Sequence, residues 1–156
     1  MTNSRSFVSD VTRYTIRAAT AADVAAIARL IVLENSRAAD EAEIARFLEV
    51  GPSVVATVDG AMVGMIYSRP FSPDILEWRN SLVASSHRGV GLGRLLVQAM
   101  EEETRRAGYV AMIGVNCWKR PGAGKERAST ARAFWRAMGW TIVFATDGSA
   151  VVAKHL

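Results

Sequence analysis

The chain has 156 residues, half of them apolar and 22% charged, enough to bury one core and outside the range of a disordered chain. Its formal net charge of +4 suits anionic ligands or partners without selecting one. A single cysteine, Cys117, excludes an internal disulfide and a cysteine-based zinc site, and the two histidines, His87 and His155, make no ligand pattern, so no metal is expected.

Residues 1–13 read as a polar tail ahead of one domain spanning 14–156. The opening residues lack the apolar run of a signal peptide, and Val24–Leu33, interrupted by Arg29, is too short to cross a bilayer. A cytoplasmic protein without a membrane partner is therefore expected. YTIRA (14–18) alternates like a short strand. Thr20 with Asp23 forms a helix-capping pattern, after which Val24, Ile27, Ala28 and Ile31 recur at helical spacing. A second helix is expected over 40–50, ended by Gly51-Pro52. SVVATV (53–58), Asp59-Gly60 and AMVGMIY (61–67) spell a hairpin, RPFSP (69–73) a loop, and ILEWRNSLV (75–83) a long strand.

From 91 to 107, Leu92, Leu95, Leu96, Ala99 and Met100 share one helix face, Gly108 stops it, and YVAMIGV (109–115) reads as a buried strand. A basic loop, 116–130, leads to a fourth helix carrying Ala131, Phe134, Trp135 and Met138 on one side. WTIVFA (140–145), Asp147-Gly148 and SAVVAKH (149–155) make a closing hairpin whose exposed edge suits a homodimer. The order is β-αα-βββ-α-β-α-ββ, an α/β sheet flanked by helices.

SSHRGVGLGR (85–94) sets Gly89, Gly91 and Gly93 where a strand gives way to a helix. The first N–H groups of a helix have no internal partner and, with the dipole, attract anions. Without Cβ atoms in the way, a diphosphate can reach the backbone itself. Arg88 and Arg94 flank the site and can neutralise phosphate oxygens. The segment reads as a pyrophosphate cradle. The dinucleotide fingerprint needs a glycine where Arg94 stands, and the Walker pattern fails at Lys119 and Glu126, so neither nucleotide motif fits.

R-G-V-G-L-G (88–93) does match Arg/Gln-x-x-Gly-x-Gly/Ala, and FWRAMGW (134–140) resembles a second motif, F-Y-x-x-x-G-F. With the element order over 14–155, the chain resembles the GCN5-related N-acetyltransferase (GNAT) family. The resemblance implies a mixed, mostly antiparallel sheet of about seven strands with about four helices, splayed between the fourth and fifth strands. It implies acetyl-CoA as co-substrate and direct transfer to a primary amine on a small molecule or peptide.

By the same resemblance, bulge amides of Leu82 and Val83 hold the thioester, and N–H groups from Arg88 through Gly89, Val90, Gly91, Leu92, Gly93 and Arg94 meet the phosphates. Asn116 is a candidate for a pantetheine amide and Trp135 for the wall of the cleft. Glu77, with ten residues between it and Arg88, corresponds to a family general base. Arg79 lies two residues on and on the same strand face, so a structural ion pair is an equal alternative.

Trp135 replaces the tyrosine that protonates the leaving thiolate, and Ala128 an accompanying asparagine. Cys117 is then the candidate acid, against an ordinary packing role. Tyr67 and Tyr109 read as core or cleft wall. These departures keep a rival open: a non-catalytic acyl-CoA-binding or regulatory domain.

Residues 116–136 hold Lys119, Arg120, Lys125, Arg127, Arg132 and Arg136 against Glu126, more positive charge than the whole chain nets. The stretch is either a solvated loop or a grip on the 3′-phosphate of CoA or an acidic acceptor. Trp118 among these charges is no nucleic-acid motif, and nucleic acid is not an expected partner. Glu34, Asp40, Glu41 and Glu43 are carboxylates that either attract a cationic amine or are simply solvated.

Overall fold

The computed structural model describes residues 11–117 and 125–156. A turn of 3-10 helix, Val11–Arg13, leads into β1 (Thr15–Ala18). Then come α1 (Val24–Asn35), α2 (Glu41–Val50), β2 (Ser53–Val58), β3 (Ala61–Pro70) and β4 (Ile75–Val83). The chain continues with α3 (Leu92–Arg106), β5 (Ala111–Cys117), α4 (Lys125–Ala137), β6 (Thr141–Ala145) and β7 (Ser149–His155). The seven strands lie in the order β1-β2-β3-β4-β5-β7-β6, every neighbouring pair antiparallel except β4 with β5. This is the mixed sheet with four helices expected from the sequence.

Boundaries shift where long-range pairing overrides local signals. Arg69 and Pro70, expected in a loop, extend β3 because they pair with Glu77 and Leu76. The fifth strand occupies 111–117 instead of 109–115, since Tyr109 N–H still bonds the Thr104 carbonyl at the helix end and Val110 N–H bonds Asp74. Helix α4 begins at Lys125, earlier than its apolar periodicity announced. Of the segment expected to be a tail, residues 11–13 form a turn, and Val11 lies 3.7 Å from the point a Cβ on Gly91 would occupy.

Helix α3 supplies the centre of the core. Leu92, Leu96 and Met100 are each 1% exposed, and burial of such side chains is worth about 1.5–3 kcal/mol apiece. Close approach of α3 to the sheet uses Gly64, where a Cβ would sit 2.6 Å from Leu96 Cδ1. The far end is tied by buried Glu101, which accepts from Trp140 Nε1 (2.9 Å) and from Lys154 Nζ (2.9 and 3.0 Å). This indole has its acceptor built in.

Two features open the sheet. Parallel pairing of β4 with β5 stops at Trp78↔Gly114, after four pairs. At the same level Ser68 faces Trp78 and Tyr67 faces Asn80, so Arg79 has no opposite number. One extra residue bends a strand. Beyond this bulge β4 stays with β3 and β5 stays with β7, and a gap opens between them.

Candidate active site

The gap is the deep end of a cavity of about 590 Å³ between β4, β5, α3 and α4. That volume lies in the range of small-molecule and cofactor sites. Ladder geometry fixes which amides look into it. Ala84 N–H bonds the Val63 carbonyl at 2.8 Å, directly opposite it in register. Antiparallel pairs alternate between bonded and unbonded, so Leu82 with Met65 is a bonded pair, and Val83 with Gly64 and Ser81 with Ile66 are not. The Ser81 and Val83 backbone groups therefore turn away from β3, toward the gap. This corrects the expectation for Leu82: it lines the cavity, but its amide belongs to the β3 ladder. Ser81 takes its place, and counting back in twos from Val83 would have found it.

At the other end lies the glycine turn. Gly89 and Gly91 take φ of +77° and +90°, a left-handed backbone that side chains resist, while Gly93 is not in that region. The first intrahelical bond of α3 is Leu95 N–H to the Gly91 carbonyl at 3.2 Å. The N–H groups of Leu92, Gly93 and Arg94 thus precede the helix's own acceptors. Gly89, Gly91, Leu92, Gly93 and Arg94 all line the cavity. Val90 does not; its side chain packs on the core.

Arg88 lines the cavity, but its guanidinium is engaged within the protein. Nε donates to the Val83 carbonyl at 3.0 Å, and Nη2 pairs with Glu34 Oε2 at 3.2 Å. Glu34, its side chain 7% exposed, also accepts from the Ser85 N–H (3.0 Å) and hydroxyl (3.3 Å). Glu34, read from the sequence as either attracting a cationic amine or simply solvated, instead fastens the end of α1 to the turn before the glycines, and the arginine expected on phosphate closes the end of β4. Asp40 caps α2, accepting from Ala42 and Glu43 N–H.

Glu77 is outside the cavity lining. It sits on the opposite sheet face, where Arg69 Nε reaches Oε2 at 2.7 Å and Arg79 Nη1 reaches Oε1 at 3.0 Å. Burial pushes its carboxyl up, but hydrogen bonds and charge from the two arginines outweigh that and hold it below the usual carboxylate range. The sequence exposed the Arg79 partner; Arg69, eight residues earlier, becomes a neighbour only through β3–β4 register. On the same face Tyr67 stacks on Phe47 (5.2 Å) and accepts from Asn80 (3.3 Å), a core role.

Asn116, Cys117 and Trp135 line the cavity, and Cys117 is exposed. Trp135 stacks on Trp78, with centroids 5.3 Å apart and planes at 15°. His87 also lines the wall, its Nδ1 2.9 Å from Tyr14 Oη. It escaped notice because Tyr14 lies 73 residues away in sequence. Phe134 and Ala131, also on the wall, have an ordinary helical core spacing that hides them. Of the basic stretch, Trp118, Lys119 and Arg120 lie outside the described residues, as do the side chains of 125–129. Among the described residues no acidic, cysteine or histidine group could hold a metal, and no helix is long and apolar enough to cross a membrane.

A mixed sheet parted between β4 and β5, with left-handed glycines leading into a helix at the mouth of the gap, defines the fold class. The model of the acetyltransferase (GNAT) family matches residues 30–140, and the chain belongs to that family. Solved structures agree in fold. The ribosomal-protein-S18-alanine N-acetyltransferase of Escherichia coli superposes with a TM-score of 0.74 at 18% identity, over 91% of this chain and 93% of that one. A phosphinothricin acetyltransferase from Sinorhizobium meliloti, in complex with acetyl-CoA, gives 0.71 at 23% identity, over 92% and 89%. Ard1 from Thermoplasma volcanium gives 0.73 at 18%, over 92% and 98%.

Proposed function

We propose that the protein is an acetyl-CoA-dependent N-acetyltransferase that passes the acetyl group directly to a primary amine. One observation carries this reading: a single cavity runs from the free amides at the start of α3 to the gap between β4 and β5. The diphosphate of CoA fits the glycine turn, where backbone N–H groups and the helix dipole meet it. The Arg94 side chain stands on the same wall. The pantetheine arm follows β4 past Val83, with Asn116 opposite, and the apolar wall formed by Leu96, Phe134 and Trp135 keeps water from it. The thioester then lies at Ser81, whose outward N–H donates to its carbonyl oxygen.

Chemistry needs a neutral amine. Its lone pair attacks the carbonyl carbon, a C–N bond forms, and the C=O electrons move to oxygen. Collapse of that intermediate breaks the C–S bond and releases the CoA thiolate, while the nitrogen loses a proton. Glu77 is poorly placed and poorly tuned to take it: two guanidiniums stabilise its charge, and a weak base gains little from position alone. We assign Glu77 the ion-pair role and send the amine proton to solvent in the open gap. Cys117, an exposed thiol on the same wall of the cavity, is the donor we propose for the departing thiolate.

The test is thiol release from acetyl-CoA over a panel of small-molecule and peptide amines. Turnover with at least one acceptor is the expected result. Binding of acetyl-CoA with no thiol released by any amine would favour the non-catalytic reading, for which the buried Trp135 in place of an acidic tyrosine speaks.

A further inference from the structure

Building on the transferase reading, we propose that the acceptor is a free amino acid with an apolar side chain. Its carboxylate is held by Arg69 and Arg79, which presents its α-amine at the gap between β4 and β5. The two guanidiniums share one partner. Arg69 uses only Nε on Glu77 and Arg79 only Nη1, and no acceptor among the described residues meets their other nitrogens. The arginine side chains are 46% and 40% exposed, whereas that of Glu77 is 11% exposed. The cluster therefore keeps one positive charge in excess, with its spare donors open to solvent. A guanidinium fork matches a carboxylate in shape and charge. A single excess charge suits a carboxylate better than a phosphate, which carries up to about two.

Sheet register sets this cluster at the mouth of the gap. Parallel pairing stops at Trp78↔Gly114, so the next residues, Arg79 on β4 and Val115 on β5, flank the opening. Glu77 pairs with Ile113, and strand alternation puts Val115 and Cys117 on that same face. Cys117 is exposed and also lines the main cavity, so the cavity emerges beside Val115. Consecutive residues point to opposite sides of a strand, yet Ser81 with Leu82 and Asn116 with Cys117 all line the cavity. That pattern belongs to a gap open through the sheet, with the donor on the α3 side and the acceptor on the other. Ser81, the partner proposed for the thioester, lies two residues beyond Arg79, about 6–7 Å along the strand. An amino acid held by its carboxylate spans that interval with its amine.

Across the opening the same face is apolar. Val115 pairs with Val151 and Val151 with Phe144, and ladder partners share a face. Val115 is 51% and Phe144 64% exposed, so the row has surface to offer an apolar side chain. A charged corner on β3 and β4 thus faces an apolar row on β5, β7 and β6. Polyamines, aminoglycosides and lysine side chains in basic peptides fit this arrangement poorly. Their added positive charge is repelled by Arg69 and Arg79, and Glu77 is already bonded to both.

The experiment measures thiol release from acetyl-CoA by the whole chain with leucine, methionine and phenylalanine, with their amides, and with putrescine, kanamycin and a lysine-containing peptide. The amides keep the α-amine and lose the carboxylate. Free acids are expected to exceed their amides by at least about tenfold in kcat/KM. Arg79→Gln and Arg69→Gln should each narrow that ratio severalfold through the acceptor KM, with the KM for acetyl-CoA unmoved, and Arg79→Lys should restore part of it. Phe144→Ser, at an exposed position, should cut the preference for leucine over alanine by about threefold. Amides used as well as acids, a ratio that neither arginine variant changes, or putrescine, kanamycin or the peptide preferred to every amino acid would overturn the proposal while the transferase reading stands. A leucine preference that Phe144→Ser leaves intact would overturn the part given to the apolar row. Thiol release with no amine at all would overturn the transferase reading and this one with it.

Discussion

The two faces of the sheet beside β4 are built on different principles. On the α3 side the anion site consists of main-chain N–H groups, and the sequence contributes chiefly by leaving side chains out at Gly89 and Gly91. On the α1–α2 side three carboxylates are already matched. Glu34 holds Ser85 and Arg88, Asp40 caps α2, and Glu77 holds Arg69 and Arg79. A site made of backbone is available to a ligand because nothing inside the protein competes for it. A carboxylate is available only if its neighbours leave it so, and for these three they do not.

Substitutions test this contrast in descending order of effect. Gly91→Val both strains a left-handed residue and places a side chain at the phosphate site. It should lower acetyl-CoA affinity by at least about 100-fold in calorimetry. Gly93→Ala, whose Cβ would meet Phe134 and Val83 only at 3.8–3.9 Å, should cost no more than about tenfold. Equal losses would mean that backbone geometry is not what the turn provides. Glu34→Gln comes next. It weakens the tie between α1, Ser85 and Arg88, so CoA affinity should fall by roughly threefold to tenfold with a small drop in melting temperature. An affinity unchanged in the face of lower stability would show that the tie is structural and does not shape the turn.

Glu77→Gln separates the two readings of that residue through pH. Its carboxyl is held below the usual range in the folded protein, so it contributes stability above the unfolded value of about 4.3, lost as pH falls through the lowered folded value. Acid unfolding should therefore be less steep in the variant, and the rate profile between pH 6 and 9 should keep its shape. A flattened alkaline rise in rate would restore Glu77 as the base. Cys117→Ser should have the smallest effect, a severalfold fall in kcat with KM for acetyl-CoA unchanged, because water can reprotonate a thiolate of pKa about 8.5. No change in kcat would remove the thiol from the mechanism.

Which parts of this were legible in the sequence follows the same division. The glycine turn and the order of elements depend on local spacing and on a motif, the opening between β4 and β5 was implied by the family resemblance, and the structure has all three. The bulge at Arg79 rests on pairing with β3, which no stretch of β4 reveals by itself, and so the cleft amide was assigned to Leu82 instead of Ser81. Arg88 and Glu34 lie 54 residues apart and Arg69 reaches Glu77 across a hairpin, so their charges looked free when read along the chain. Trp78 fits where the two strands part only because Gly114, 36 positions on, carries no side chain there, a match that only the β4–β5 pairing brings together.

The central claim is that main-chain nitrogens from the glycine turn to the first turn of α3 bind the linked phosphates of CoA. Calorimetry of the wild-type protein with CoA and with pantetheine, which lacks the nucleotide and its phosphates, tests it most directly. The account predicts saturable one-to-one binding of CoA at least about 100-fold tighter than pantetheine, a difference of about 2.7 kcal/mol. Equal affinities, or no heat with CoA at millimolar concentration, would contradict it.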